Sequence, residues 1–257
     1  MSDIALPDLS GRVVVVTGAS RGIGYFTALH AASAGAHVVA VARTVGGLEE
    51  LDDAIKADGR GEATLVPLDL RDGPGIDRLG GALDERWGRC DAMIANAGVL
   101  GTISPIGHTQ AKAWDEVMAV NVSAVWRLAR TLDPLLTRTD ESRALILSSG
   151  AAHSCRPFWG AYAASKAAVE AMARVWARES ERGPLRVNCV NPGATRTQMR
   201  ARAMPGEDPS TLPEPTDVAR SIVALLDPAI ARTGQIYDVR AGRWLEYAMP
   251  DVARAEA

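Results

Sequence analysis

Seven short runs of branched and aliphatic residues recur along this chain: RVVVVTG from Arg12, HVVAVA from His37, ATLVPLDL from Ala63, DAMIANAG from Asp91, ALILSS from Ala144, RVNCVN from Arg186 and QIYDV from Gln235. Between them lie longer segments with helical periodicity, among them IGYFTALHAASAG, GGLEELDDAIKADG, AWDEVMAVNVSAVWRLARTL and AASKAAVEAMARVWARESERG, three of them ended by Gly. Nearly continuous apolar strands are what a sheet covered on both faces requires, and strict alternation with helices calls for parallel strands joined by crossovers. The expectation is one α/β domain over 1–257 with a seven-stranded parallel sheet flanked by helices. One stretch breaks the alternation: the Pro-rich, polar segment 198–215 reads as a mobile lid, and 250–257 as a flexible tail.

Composition narrows the partners. Lys and Arg number 28 against 31 Asp and Glu, a formal net charge of -3, which gives no electrostatic footprint for nucleic acid or anionic lipid. The N-terminus has no apolar leader and no run reaches membrane-spanning length, so a cytoplasmic protein is expected. Cys90, Cys155 and Cys189 lack paired spacing, and His30, His37, His108 and His153 lack ligand spacing, so neither disulfide nor metal is expected.

The first strand runs into TGASRGIG, with Gly18, Gly22 and Gly24 ahead of a helix. Such a turn lets backbone approach a pyrophosphate at the positive end of that helix, which points to a dinucleotide. An acid ending the second strand would read the ribose 2′-hydroxyl of NAD; here VVAVART places Arg43 instead, and Arg21 precedes the middle glycine. Two guanidinium groups suit a 2′-phosphate and favour NADP(H), with NAD(H) as the alternative if both arginines are merely solvated.

In order along the chain, TGASRGIG at Thr17 to Gly24, Asp69-Leu70, NAG at Asn96 to Gly98, Asn121, Ser149, Tyr162-x-x-x-Lys166 and NPGATRT at Asn191 to Thr197 resemble the short-chain dehydrogenase/reductase family over nearly the whole length. One departure is Ala95, where the family usually has Asn. The resemblance implies a Rossmann-type doubly wound fold, a catalytic set of Asn121, Ser149, Tyr162 and Lys166, and dinucleotide contacts from Thr17, Gly18, Ser20, Arg21, Gly22, Ile23, Gly24 and Arg43. It further implies adenine contacts from Asp69 and Leu70, Asn96, Ala97 and Gly98 along the cofactor, Tyr162 and Lys166 on the ribose, and Pro192, Gly193, Thr195 and Thr197 on the nicotinamide.

Residues four apart share a helix face, so Tyr162 and Lys166 point the same way, and an ammonium together with the positive nicotinamide of an oxidised cofactor would favour phenolate in a phenol of ordinary pKa ~10. The implied reaction interconverts a carbonyl and an alcohol, with Tyr162 as proton donor or acceptor; an NAD-dependent alcohol dehydrogenase of the same fold and a non-catalytic dinucleotide-binding regulator are the alternatives. For the substrate, His153, Trp159 and Met199 are the pocket candidates. By resemblance the chain is a homodimer or homotetramer pairing through helices around Trp114 to Leu132 and Ala163 to Trp176, with Val125, Leu128, Val169 and Val175 available and Trp244, Tyr247 and Met249 reaching a neighbour.

Overall fold

The computed structural model describes residues 4–247, so the tail at 250–257 and Met249 lie outside the described residues. The element order is β1 (Val13–Thr17), α1 (Gly22–Ser33), β2 (His37–Ala42), α2 (Val45–Asp58), β3 (Glu62–Pro67), α3 (Gly73–Trp87), β4 (Ala92–Ala95), α4 (Ala111–Met118), α5 (Ala124–Leu136), β5 (Ser142–Leu147), α6 (Ala151–Ser154), α7 (Gly160–Glu179), β6 (Leu185–Asn191), α8 (Gln198–Ala203), α9 (Pro215–Ala224), β7 (Ile236–Asp238) and β8 (Arg243–Leu245). Ala119–Ser123 form a π turn that joins α4 to α5.

The strands line up as β3-β2-β1-β4-β5-β6-β7-β8. All neighbours are parallel except the last pair, in which Tyr237 faces Trp244 across an antiparallel hairpin. The expected seven strands are therefore joined by an eighth. Arg243–Leu245 is too short to stand out as an apolar run, and it is held by its neighbour: the Tyr237 and Trp244 rings meet edge-on at 5.2 Å.

Why the strands lie flat in the interior is plain from their side chains. Val14, Val16, Val38, Ala40 and Ile94 face one buried layer with α1, α2 and α9, while Val15, Val39, Met93, Ala144 and Val187 face the other with α3, α5 and α7. Each face removes a row of aliphatic groups from water, at about 25 cal/mol per Å² of apolar area. The helix boundaries follow their caps. Asp72 accepts from Gly75 N at 3.0 Å to start α3, and Gly88, with φ +65°, ends it in the left-handed conformation.

Two adjacent connections leave in opposite directions between β1 and β4, which opens a crevice at the carboxyl ends of these strands. Segment 198–215, expected as an irregular lid, is folded: α8 is capped by Thr197 Oγ1, which accepts from Arg200 N at 3.2 Å, and Pro209–Thr211 form a 3-10 turn. Arg200 grips Glu207 through two hydrogen bonds of 2.5 and 2.6 Å. Among the described residues no helix is long and apolar enough to cross a membrane, and no cluster of His, Cys, Asp and Glu is placed to hold a metal ion.

Candidate active site

The crevice begins at the turn after β1. Gly18 has φ +70°, and a Cβ there would lie 2.8 Å from Asn96 Nδ2; at Gly24 a Cβ would lie 2.3 Å from Gly18 O. Both positions therefore exclude any side chain, and the turn lies flat against the end of β4. Asn96 fastens it, donating from Nδ2 to Thr17 O at 2.9 Å, while Thr17 Oγ1 accepts from the amides of Asn96 and Ala97, each at 3.1 Å. The Asn96 side chain thus braces the loop rather than reaching along the crevice. Arg21 caps α1 with extended backbone and no side-chain hydrogen bond, which leaves the first-turn amides of a 12-residue helix turned toward an anion. This glycine cradle and uncapped helix fit a dinucleotide pyrophosphate.

The mouth beside it is basic. A Cβ on Gly47 would lie 2.6 Å from Ser20 O, so the start of α2 presses on the glycine loop, and Arg43 stands between the end of β2 and that helix. Both arginines are exposed, and neither has an ion pair among the described residues. Asp69 is held by Arg71 at 2.5 Å, and that hydrogen bond, with a smaller contribution from the Arg43 charge, keeps its carboxyl below the usual range. Leu70 is buried beside it.

At the far side of the crevice the four catalytic candidates converge. Lys166 Nζ donates to Leu147 O at 2.7 Å and sits 5.7 Å from the centroid of the Tyr162 ring. A Cβ on Gly98 would stand 3.4 Å from Asn121 Oδ1 and 3.6 Å from Lys166 Nζ, so the absence of a side chain there keeps both polar groups open to one space. Asn121 lies inside the π turn and is buried; its Oδ1 accepts from Val99 N at 2.8 Å, and its Nδ2 donates to Val99 O at 2.9 Å and to Ser165 Oγ at 3.0 Å.

Burial raises the Tyr162 pKa above its ordinary value of 10.0, and the hydrogen bond to Ser149 only partly offsets this. Burial also pulls Lys166 down to about 8. Desolvation at Tyr162 therefore works against the phenolate that Lys166 and a positive nicotinamide would together favour.

Ser149 and Tyr162 open into a cleft of about 430 Å³, whose walls include Ile23, Pro192, Gly193, Thr195, Thr197, Trp159 and Met199. Trp159 meets the Tyr162 ring edge-on at 5.9 Å. Of the three pocket candidates, Trp159 and Met199 are brought to the cleft and His153 is not. His153 is not among the residues that line the opening, although Ala151 and Ser154 of the same short helix are; its Nε2 lies 3.0 Å from the carboxylate of Glu170. Two non-glycine residues of this connection, Cys155 and Phe158, hold left-handed backbone with φ 44° and 75°, a strained turn on the rim of the site.

A joint that sequence reasoning passed over is Asn191. Its Oδ1 accepts from Gly150 N at 3.1 Å and Gly193 N at 3.2 Å, and its Nδ2 donates to Asp238 at 2.9 Å, tying the serine loop, β6 and β7 together. A polar residue at the last position of a buried strand was the available signal. A second cavity, of about 580 Å³, opens at the opposite ends of β5 and β6 among Arg138, Arg143, Arg182 and Arg186, remote from these groups.

Comparison with known proteins agrees with this geometry. The family model described as short chain dehydrogenase matches residues 12–208. An uncharacterised oxidoreductase of Escherichia coli K12, YciK, is 37% identical over 238 residues, covering 91% of this chain and 94% of that protein. A short chain dehydrogenase structure from Pseudomonas syringae superimposes with a TM-score of 0.89 at 36% identity, over 93% of this chain and 99% of that one. Another, from Escherichia coli CFT073 in complex with NADPH, gives a TM-score of 0.85 at 37% identity, covering 91% and 98%.

Proposed function

Because the chain belongs to the short-chain dehydrogenase/reductase family and is an NAD(P)-dependent oxidoreductase, we propose that it uses NADP(H) to interconvert a ketone or aldehyde and the corresponding alcohol, with Tyr162 handling the proton. The observation that carries this reading is the Tyr162 hydroxyl, buried, hydrogen-bonded to Ser149 and placed in a cleft whose other walls are the glycine-loop helix and the segment from Pro192 to Thr197. NADP(H) is favoured over NAD(H) by Arg21 and Arg43 at the crevice mouth, and the NADPH complex of the similar Escherichia coli CFT073 protein supports the same choice.

The dinucleotide would rest on Gly18, Gly22 and the first turn of α1, and when bound it supplies hydride to the carbonyl carbon or accepts it from the alcohol. Ser149 and Tyr162 hold the substrate oxygen by two hydrogen bonds, and Tyr162 passes its proton to that oxygen as the C–O π bond breaks. Lys166, which shares the space beside Gly98 with Asn121, would return a proton to Tyr162 by way of the ribose hydroxyls, and Asn121 would hold the water that links Lys166 to solvent. Trp159 and Met199 form the apolar walls, and segment 198–215 would close the opening.

The test is NADPH oxidation by the pure protein against a panel of ketones, diketones and acyl thioesters. Turnover of at least one supports the reading, and none with a protein that binds NADPH points to a binding regulator.

A further inference from the structure

A connected group of polar side chains outside those assigned above lies behind Ser149. Glu170, one turn beyond Lys166 on α7, is only 3% exposed despite its charge. An enclosed carboxylate has to be satisfied by donors or cations. Glu170 accepts from the hydroxyl of Ser148, itself buried, and lies 3.0 Å from His153 Nε2.

Ser148 immediately precedes Ser149 and His153 follows it by four positions, so one carboxylate grips the serine loop on both sides. Lys166 does the same from the previous turn, through Leu147 O. The titratable and charged groups facing Glu170 are Lys166 and Arg174 from α7, His153 from α6, Cys189 from β6 and Tyr247 beyond β8. Arg174 stacks its guanidinium on the Tyr247 ring at 4.2 Å.

Resting on the carbonyl-reduction reading, we propose that Glu170 is a positioning residue: through Ser148 it sets the Ser149 hydroxyl, and its charge keeps Lys166 an ammonium. Burial draws Lys166 down to about 8, opposed by the neighbouring Cys189 and Glu170. Burial also pushes the Cys189 thiol up to about 12, so near pH 8 it is neutral.

The chain has three lysines, Lys56, Lys112 and Lys166, so lysine-selective carbon NMR of the whole protein reads Lys166 directly, assigned by its loss in Lys166→Arg. The Lys166 signal is expected to titrate near 8 in the native protein. In Glu170→Gln, which keeps shape and removes charge, the midpoint should fall by about one unit, while Glu170→Asp should keep it. Ser148→Ala should leave the midpoint in place and lower kcat for ketone reduction about 10-fold at unchanged NADPH affinity.

A midpoint unmoved in Glu170→Gln, or native kcat in Ser148→Ala, overturns the proposal. Should Glu170→Gln not fold, Ser148→Ala decides. The NMR arm needs no turnover, so a protein that reduces no carbonyl sinks the reaction reading while Glu170 is still tested.

Discussion

For a single side chain, surroundings decide chemistry more than identity does. Burial raises the Tyr162 pKa, and replacing the residue by Phe keeps the ring packed against Trp159 and removes only the transferable proton. Turnover should fall by roughly 10²-fold to 10⁴-fold with NADPH affinity unchanged, measured by steady-state kinetics and direct titration. Arg43→Asp tests the other end of the crevice. A charge-assisted hydrogen bond to phosphate contributes about 1.5–3 kcal/mol, so NADPH should weaken by at least tenfold more than NADH; equal losses would take Arg43 away from the 2′-phosphate. The residues that the sequence revealed were those whose spacing is itself the message: the glycines, and Tyr162 with Lys166 four apart. The partner of His153 leaves no mark in the sequence, since Glu170 lies 17 positions on in the next helix and only packing brings them together. A charge on the buried face of α7 was the trace that Glu170 left in the sequence.

For the elements, the strand-turn-helix unit at the start of the chain carries the tightest constraint. Gly24→Ala would drive a methyl group into the Gly18 carbonyl, which is backbone and cannot rotate aside. About 1–3 kcal/mol of overpacking strain should appear as a lowered Tm together with loss of NADPH binding. Unaltered Tm would mean that the loop is looser than its geometry. The long periodic segment from Ala113 to Leu132 reads as one helix and is continuous, but it carries a π turn at Asn121, whose side chain bonds to Val99 and Ser165. Apolar periodicity has no means of registering such a shift. The eighth strand escaped for a different reason: three residues held by an aromatic pair carry no repeat.

For the molecule as a whole, association and the response to pH turn on a few exposed helix residues and two shielded histidines. Val125, Leu128 and Val169, offered by the sequence for pairing, belong to the core, whereas Trp126 at 51% and Val175 at 55% stand exposed on α5 and α7. A dimer or tetramer built through these helices is expected in light scattering at micromolar concentration; a monomer alone would reject it. His30, bonded to Thr216, and His37, bonded to Thr64, both have pKa values lowered chiefly by burial. Unfolding frees them to bind protons at an ordinary pKa of ~6.5, so their stabilisation is whole above that value and is lost as pH falls toward the depressed folded values. Tm should therefore decline from about pH 7 to 5. A His30→Gln, His37→Gln double variant should decline less, and parallel curves would contradict the assignment.

The strand order also governs how the chain comes into being. β1 lies in the middle of the sheet, paired on one side with β2 and on the other with β4, where Val14 meets Ala92. A growing polypeptide can lay β2 and β3 beside β1 early, but the second edge of VVVV stays bare until three helices have been made. During that interval the nascent half presents an unsatisfied, wholly aliphatic ladder, the kind of edge on which chains cross-pair. The same arrangement that opens a crevice for the dinucleotide thus delays closure of the sheet and makes the unfinished chain dependent on speed or chaperoning.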